Sequence, residues 1–263
     1  MARWVPYRFG MWLADHLRSR CYLCQWYDIA NDSSTNSLTN IAAHPRVTTQ
    51  TLSHSSLSPI SLSPSSSTQK SLLCAQCQQQ ITWLPPLFTI DINPAFTLSV
   101  QSATYYDYPI RQAISAFKHH EDMTKLPVLV HALRQLPKPT GCHEQNSVIV
   151  PMPTTTARLQ RRGFDPVTIL THYLSQHWQI PIWRGVARVD DTLSQQGLSR
   201  AERLSNLEDA FTLISPPPKA HLLLFDDVAT TGASLRSLAK TLHFTDYTLQ
   251  ISAYALAHGN QSR

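Results

Sequence analysis

Apolar and polar positions along this chain follow two periods. Leu222 to Phe225 run apolar without a polar break, as in a strand buried on both faces of a parallel sheet. Leu235, Leu238, Ala239 and Leu242 then recur at spacings of three and four, which predicts a helix. Between them lie Asp226, Asp227, Val228 and the polar run Ala229 to Ser234, so the stretch reads as a strand with two acids at its carboxyl end, a tight turn and a helix. Upstream, Phe96 to Tyr106 is rich in β-formers, and Ser147 to Met152 predicts a short buried strand. Helices are predicted over Tyr108 to His120, with Ile110, Ala113, Ile114 and Phe117 on one face, over Leu126 to Leu136, and over Pro166 to Trp178. Gln78 to Pro94 is a proline-punctuated connection, Arg200 to Phe211 a polar segment, and Tyr247 to Leu256 the last strand. This alternation predicts an α/β domain with a mainly parallel sheet and its ligand site at the strands' carboxyl ends.

The turn after the acids carries the first chemistry. Backbone N–H groups at a helix N-terminus favour an anion, and the hydroxyls of Thr230, Thr231 and Ser234 add donors. Gly232 supplies backbone freedom where a ligand must approach closely. The paired carboxylates suit hydroxyl donors or a metal ion, so acids and anion loop together point to a sugar phosphate with Mg²⁺. The Mg²⁺-binding acids of an ATPase are the competing reading, but the chain has no G-x-x-x-x-G-K-[ST] loop. Plain helix capping by the Thr-Thr-Gly turn is the simplest alternative.

Cys21-x-x-Cys24 and Cys74-x-x-Cys77 account for four of the five cysteines. Two such pairs place four thiolates at the corners of a tetrahedron, the arrangement of structural Zn²⁺. A redox dithiol would need one pair only, and structural disulfides do not suit a cytoplasmic protein. Residues 25–73 separate the pairs, longer than the usual ribbon. Closing the longer loop costs roughly 0.9 kcal/mol more, against ~10–16 kcal/mol for structural zinc. Within it, residues 31–70 are rich in Ser and Thr and lack glycine, a composition expected of a mobile insert. Cys142 reads as a spare thiol.

Ser147 to Met152 leads into Pro153-Thr-Thr-Thr156 and then Arg158, Arg161 and Arg162. These arginines are a second candidate anion site, for pyrophosphate or a nucleic-acid backbone; an ordinary solvated basic helix is the alternative. Lys118, His119 and His120 end the Tyr108 helix, where a charged C-terminus is equally explained by the helix dipole. Net charge is +5, from 22 Lys and Arg against 17 Asp and Glu, which permits an anionic partner without requiring one. With 263 residues, 42% hydrophobic, a sizeable core is expected. No apolar run approaches a membrane span, and Met1 to Arg20 lacks the pattern of a secretory signal, reading as a helix or hydrophobic lead-in.

The stretch LLLFDDVATTGAS closely resembles the 5-phosphoribosyl-1-pyrophosphate (PRPP) motif of type I phosphoribosyltransferases. That resemblance implies that Asp226 and Asp227 take the ribose 2′- and 3′-hydroxyls, that Thr230, Thr231, Gly232, Ala233 and Ser234 take the 5′-phosphate, and that Ala229 belongs to the same PRPP site. The order of features resembles the ComF family of phosphoribosyltransferase-like competence proteins: the paired C-x-x-C knuckle, Tyr108 to Lys118, IVPMP at 149–153, Arg-Arg-Gly-Phe at 161–164, the series from Thr192 to Arg203, Asn206 to Phe211, and the PRPP motif. Asp165-Pro166 departs from that pattern, where Asn-Gln is usual, and weakens the case for pyrophosphate at this loop.

The resemblance implies a type I phosphoribosyltransferase-like parallel sheet flanked by helices over residues 86–263, with a small zinc-ribbon-like domain over residues 1–85. It implies a cytoplasmic role in DNA uptake during natural transformation, handling single-stranded DNA beside a helicase-type partner, with PRPP and Mg²⁺ in the pocket. Lys118, Arg158, Arg161 and Arg162 would contact pyrophosphate or DNA. The competing class is a metabolic phosphoribosyltransferase acting on a nucleobase or other acceptor, for which no base-binding residue is recognisable in the sequence. A zinc-dependent scaffold with a relic pocket is a third reading, against which the intact Asp226-Asp227 pair argues.

Overall fold

The computed structural model describes residues 21–24, 72–189, 210–243 and 249–259. The expectations for Met1 to Arg20, the 31–70 insert, the Thr192 to Arg203 series and most of Asn206 to Phe211 lie outside the described residues. Five strands form one sheet: β1 (Phe88–Asn93), β2 (Phe96–Tyr105), β3 (Ser147–Pro151), β6 (His221–Ala229) and β7 (Gln250–His258), in the order β1-β2-β7-β6-β3. Neighbours β2–β7, β7–β6 and β6–β3 are parallel; the β1–β2 hairpin at the edge is antiparallel. The expected mainly parallel sheet flanked by helices is therefore observed.

The central strand β6 explains its own unbroken apolar run. Leu223 and Phe225 enter one core, Leu222 and Leu224 the other, so both faces are covered and neither position can be polar. On the first face pack α2 (Ile110–His119), α3 (Leu126–Leu133) and α5 (Pro166–Trp178). On the second lie α6 (Ala233–His243) and a two-stranded ribbon of β4 (Val186–Arg188) and β5 (Phe211–Leu213). The predicted α2 face of Ile110, Ala113, Ile114 and Phe117 is buried as expected.

Two differences matter for the site. β6 continues through Asp226 and Asp227 to Ala229, because β7 pairs with it as far as His258; the acids sit among the strand's last residues, not beyond its end. Phe88–Asn93 is a strand and not part of a loose connection, since it finds β2 as an antiparallel partner.

Residues 21–24 and helix α1 (Ala75–Gln80) bring the cysteines together. Tyr22 N–H donates to Leu72 O at 3.1 Å, and Cys21, Tyr22, Leu73, Cys74, Cys77 and Ile81 join the same apolar core as Ile110 and Phe117. Among the described residues no helix is long and apolar enough to cross a membrane.

Candidate functional site

The carboxyl end of β6 delivers Asp226 and Asp227 to a short loop, and the loop hands the chain to α6. Gly232 takes φ +73, the left-handed region that glycine enters without strain. A Cβ there would lie 2.2 Å from Ile90 Cδ1, so β1 presses on the loop and fixes its path. Arg236 N–H donates to Gly232 O at 2.8 Å, starting the helix, and Thr231 Oγ1 accepts from Ala233 N–H at 3.4 Å. Asp226, Val228 and every residue from Ala229 to Leu235 line a pocket of about 70 Å³. All the predicted loop residues are thus gathered around one cavity; Val228, inside the motif, and Leu235, the first apolar residue of the helix pattern, line it as well, without having been read as ligand contacts.

Asp227 is buried and Asp226 partly so. Asp226 Oδ1 accepts from Asp227 N–H at 2.8 Å. Burial first, and the charge of Asp227 second, push the Asp226 carboxyl up to about 7. Lys118, at the last turn of α2, lies 2.9 Å and 3.0 Å from the two carboxylate oxygens of Asp227. One lysine therefore faces two crowded acids. Room for a further positive charge, or for hydroxyl donors, is built into that imbalance. A carboxylate pair of this kind fits Mg²⁺ as a hard, oxygen-seeking ion.

The second predicted anion site is carried by α4 (Thr156–Arg162). Thr155 caps it, its hydroxyl accepting from Arg158 N–H at 3.2 Å, and Gly163 ends it at φ +70. The short helix buries none of its residues, and Arg158 and Arg161 are exposed. Burial, then the charge of Arg162, then that of Lys118 hold the His119 imidazole below its usual value, with Asp227 opposing. Phe117 and Phe164 meet edge to face at 5.4 Å, tying α2 to the turn after α4. Neither the Lys118–Asp227 nor the Lys125–Asp122 ion pair involves an arginine of α4, so α4 adds positive charge to this side of the molecule. Asp165, the departure noted above, accepts from the backbone of Val167 at 3.0 Å and Thr168 at 3.2 Å, with Pro166 at the first position of α5. It caps a helix, and its charge is used there.

The four cysteines converge. Their sulfurs all lie within 4.8 Å of one another, with Cys24 and Cys74 at 3.9 Å. Tetrahedral zinc with bonds of about 2.3 Å sets sulfur–sulfur separations near ~3.8 Å, so the donor set fits the ion in kind and in spacing. Burial, followed by the neighbouring sulfurs of Cys74 and Cys21, pushes the Cys77 thiol up, and burial also raises Cys74. A divalent cation would reverse that preference by taking the sulfurs as thiolates.

No family model matches the chain. It is 33% identical over 146 residues to Competence protein F of Haemophilus influenzae, covering 52% of this chain and 63% of that protein. It is 36% identical over 96 residues to DNA utilization protein YhgH of Salmonella typhi and of Escherichia coli, covering 36% of this chain and 42% of each. The chain thus spans less than two thirds of the length of the curated relatives it matches. Among solved structures it is similar to orotate phosphoribosyltransferase from Aeropyrum pernix, at 16% identity and a TM-score of 0.33 over 70% of this chain and 80% of that one.

Proposed function

On the premise that similarity to Competence protein F and YhgH supports assignment of this chain to the ComF family, we propose that it serves DNA uptake in natural transformation. In this reading it binds PRPP or a related phosphoribosyl ligand with Mg²⁺, and contacts single-stranded DNA. The observation that carries the pocket is Asp226 at the end of β6, next to the buried Asp227, lining one cavity with the Thr230–Ser234 loop. Asp226 and Asp227 accept hydrogen bonds from the ribose diol. The loop N–H groups and the hydroxyls of Thr230, Thr231 and Ser234 hold the 5′-phosphate. Mg²⁺, when bound, supplies charge that offsets the ligand's phosphates and the two acids.

Lys118 sits on Asp227 and carries the charge that a pyrophosphate group would meet. Arg158 and Arg161 offer cations to a DNA backbone. Zinc holds the four cysteines. The name DNA utilization protein belongs to the relatives; for this chain, the unneutralised arginines of α4 support the same direction. We place its action in the cytoplasm, beside a helicase-type partner.

The test is calorimetric titration with PRPP and Mg²⁺, with and without a short single-stranded DNA. Micromolar binding of PRPP that Asp226→Asn with Asp227→Asn abolishes is the expected result. A change in PRPP affinity with DNA present would couple pocket and strand reciprocally. Absence of PRPP binding would overturn the reading.

A further inference from the structure

Behind the anion loop the ends of two strands converge on one peptide group. His258, at the end of β7, pairs with Ala229, the last residue of β6. Gly259 N–H donates to the Ala229 carbonyl at 2.9 Å. His258 Nδ1 lies 3.0 Å from the same oxygen, and a carbonyl only accepts, so Nδ1 carries the proton. The first bond continues the pairing of β6 with β7; the second comes from a side chain that strand pairing does not require.

The imidazole is held in that position. Phe88, from β1, stacks on it with ring centroids 3.9 Å apart and planes 20° from parallel. Gly259 passes so close to the loop that a Cβ there would stand 3.1 Å from Thr230 Cα. Phe88, His258 and Gly259 do not line the cavity; they back the loop from the side of β1 and β7.

A trans peptide is planar, with its C=O and N–H pointing in opposite directions. An Ala229 carbonyl turned to β7 therefore turns Thr230 N–H away from β7, to the side of β3. That strand has already ended, its last pair being Pro151 with Phe225, so no strand takes up the donor. Thr230 itself lines the cavity. Flipped over, the same peptide would present a carbonyl oxygen in place of that donor, and an oxygen repels an anion.

We infer that His258 is a positioning residue for the phosphate: its Nδ1–H latches the Ala229–Thr230 peptide in the orientation that presents Thr230 N–H to the 5′-phosphate. The inference rests on the phosphoribosyl reading of the loop. His258 touches no ligand and acts through Ala229, and its donor, not its ring, is the working part.

Two substitutions separate donor from ring. His258→Asn places an amide N–H as many bonds from Cβ as Nδ1 and loses the ring; His258→Phe keeps a ring on Phe88 and loses the donor. Calorimetric titration of ribose 5-phosphate with Mg²⁺ reads the difference, with thermal melts to show that each variant is folded. Affinity should fall about fivefold in His258→Phe, the loss of one hydrogen bond, and stay within about twofold of the unaltered protein in His258→Asn. Full affinity in His258→Phe, or an equal loss in both variants, would overturn the latch while leaving the phosphoribosyl pocket intact. A second measurement needs no substitution: ribose 5-phosphate should shift the Thr230 amide proton resonance of the unaltered protein, and binding without that shift would overturn the latch as well. If ribose 5-phosphate does not bind the unaltered protein, the phosphoribosyl reading itself falls and takes this inference with it.

Discussion

Lys118 Nζ and the carboxylate of Asp227 meet at 2.9 Å although they stand 109 positions apart in the chain. The pair joins the last turn of α2 to the end of β6, and it sets the charge of the pocket before any ligand arrives. A lysine this close to one of two acids can hold Asp227 and still present its charge to an incoming pyrophosphate.

Replacing that lysine should therefore separate two ligands. Lys118→Met is expected to weaken PRPP by about tenfold, the loss of one charge-assisted hydrogen bond of ~1.5 kcal/mol, and to weaken ribose 5-phosphate far less, because only PRPP carries pyrophosphate. Titration of both ligands against both proteins measures the difference. Equal losses for the two would assign Lys118 to holding Asp227 alone.

The raised carboxyl of Asp226 predicts a pH dependence of stability with a definite sign. An acid at about 7 in the fold and near ~3.9 when unfolded binds more protons folded than unfolded between those values. Its contribution to stability is therefore greatest below the unfolded value and is lost as pH rises towards 7. Three units at ~1.4 kcal/mol each set a ceiling of about 4 kcal/mol; partial access of Asp226 to water halves that to about 2 kcal/mol. Asp226→Asn should accordingly raise the Tm at pH 8 by about 4–8 °C, with little gain at pH 4. Thermal melts across that range decide it, and a substitution that lowers Tm at pH 8 would contradict the crowding of the two acids.

Zinc makes a separate prediction because the cysteine cluster does not stand apart from the large body. Cys21, Cys74 and Cys77 share a core with Ile110, Phe117 and Leu129. Cys21→Ser with Cys24→Ser should abolish a one-to-one zinc content, and melting should lose cooperativity beyond residues 21–24 and α1. Metal analysis and differential scanning calorimetry on the same preparation test both halves. Stoichiometric zinc in the doubly substituted protein would refute the four-cysteine site.

What the sequence discloses depends on how local the cause is. Leu222–Phe225 is legible because both sheet faces are covered, and Pro166–Trp178 is legible to the residue because Asp165 caps its start and Gln179, at φ +54, stops it. The anion loop is legible because its donors lie within a few residues of each other. β1 is not: FTIDIN follows a proline-rich run, and it becomes a strand only by pairing with β2. The ribbon of β4 and β5 depends on register between strands far apart in the chain, and α1, AQCQQQ, has no apolar period. The Phe88–His258 stack needs residues 170 positions apart in the chain to meet, so no local pattern announces it. Lys118 is marked out in the sequence by family resemblance, and only the fold supplies its partner.

The arginines of α4 divide by where they point their charge, and the division can be measured. Arg162 is half-buried and its charge acts on His119, the neighbour of Lys118 in the chain, whereas Arg158 and Arg161 are exposed on a helix that buries none of its residues. Arg158→Ala with Arg161→Ala should weaken single-stranded DNA across unrelated sequences alike, because phosphates carry no sequence information. The salt dependence should fall with it: each lost phosphate contact on a single strand removes ~0.7 from the slope of log K against log salt, so two removed contacts lower it by about 1.4. Arg162→Ala should instead act first on PRPP, weakening it several-fold more than the double substitution does. Fluorescence anisotropy with labelled oligonucleotides over a salt series, paired with PRPP titration of each variant, tests the split. An unchanged salt slope in the double variant would remove α4 from the DNA contact, and equal PRPP losses in both variants would make the three arginines one undivided anion site.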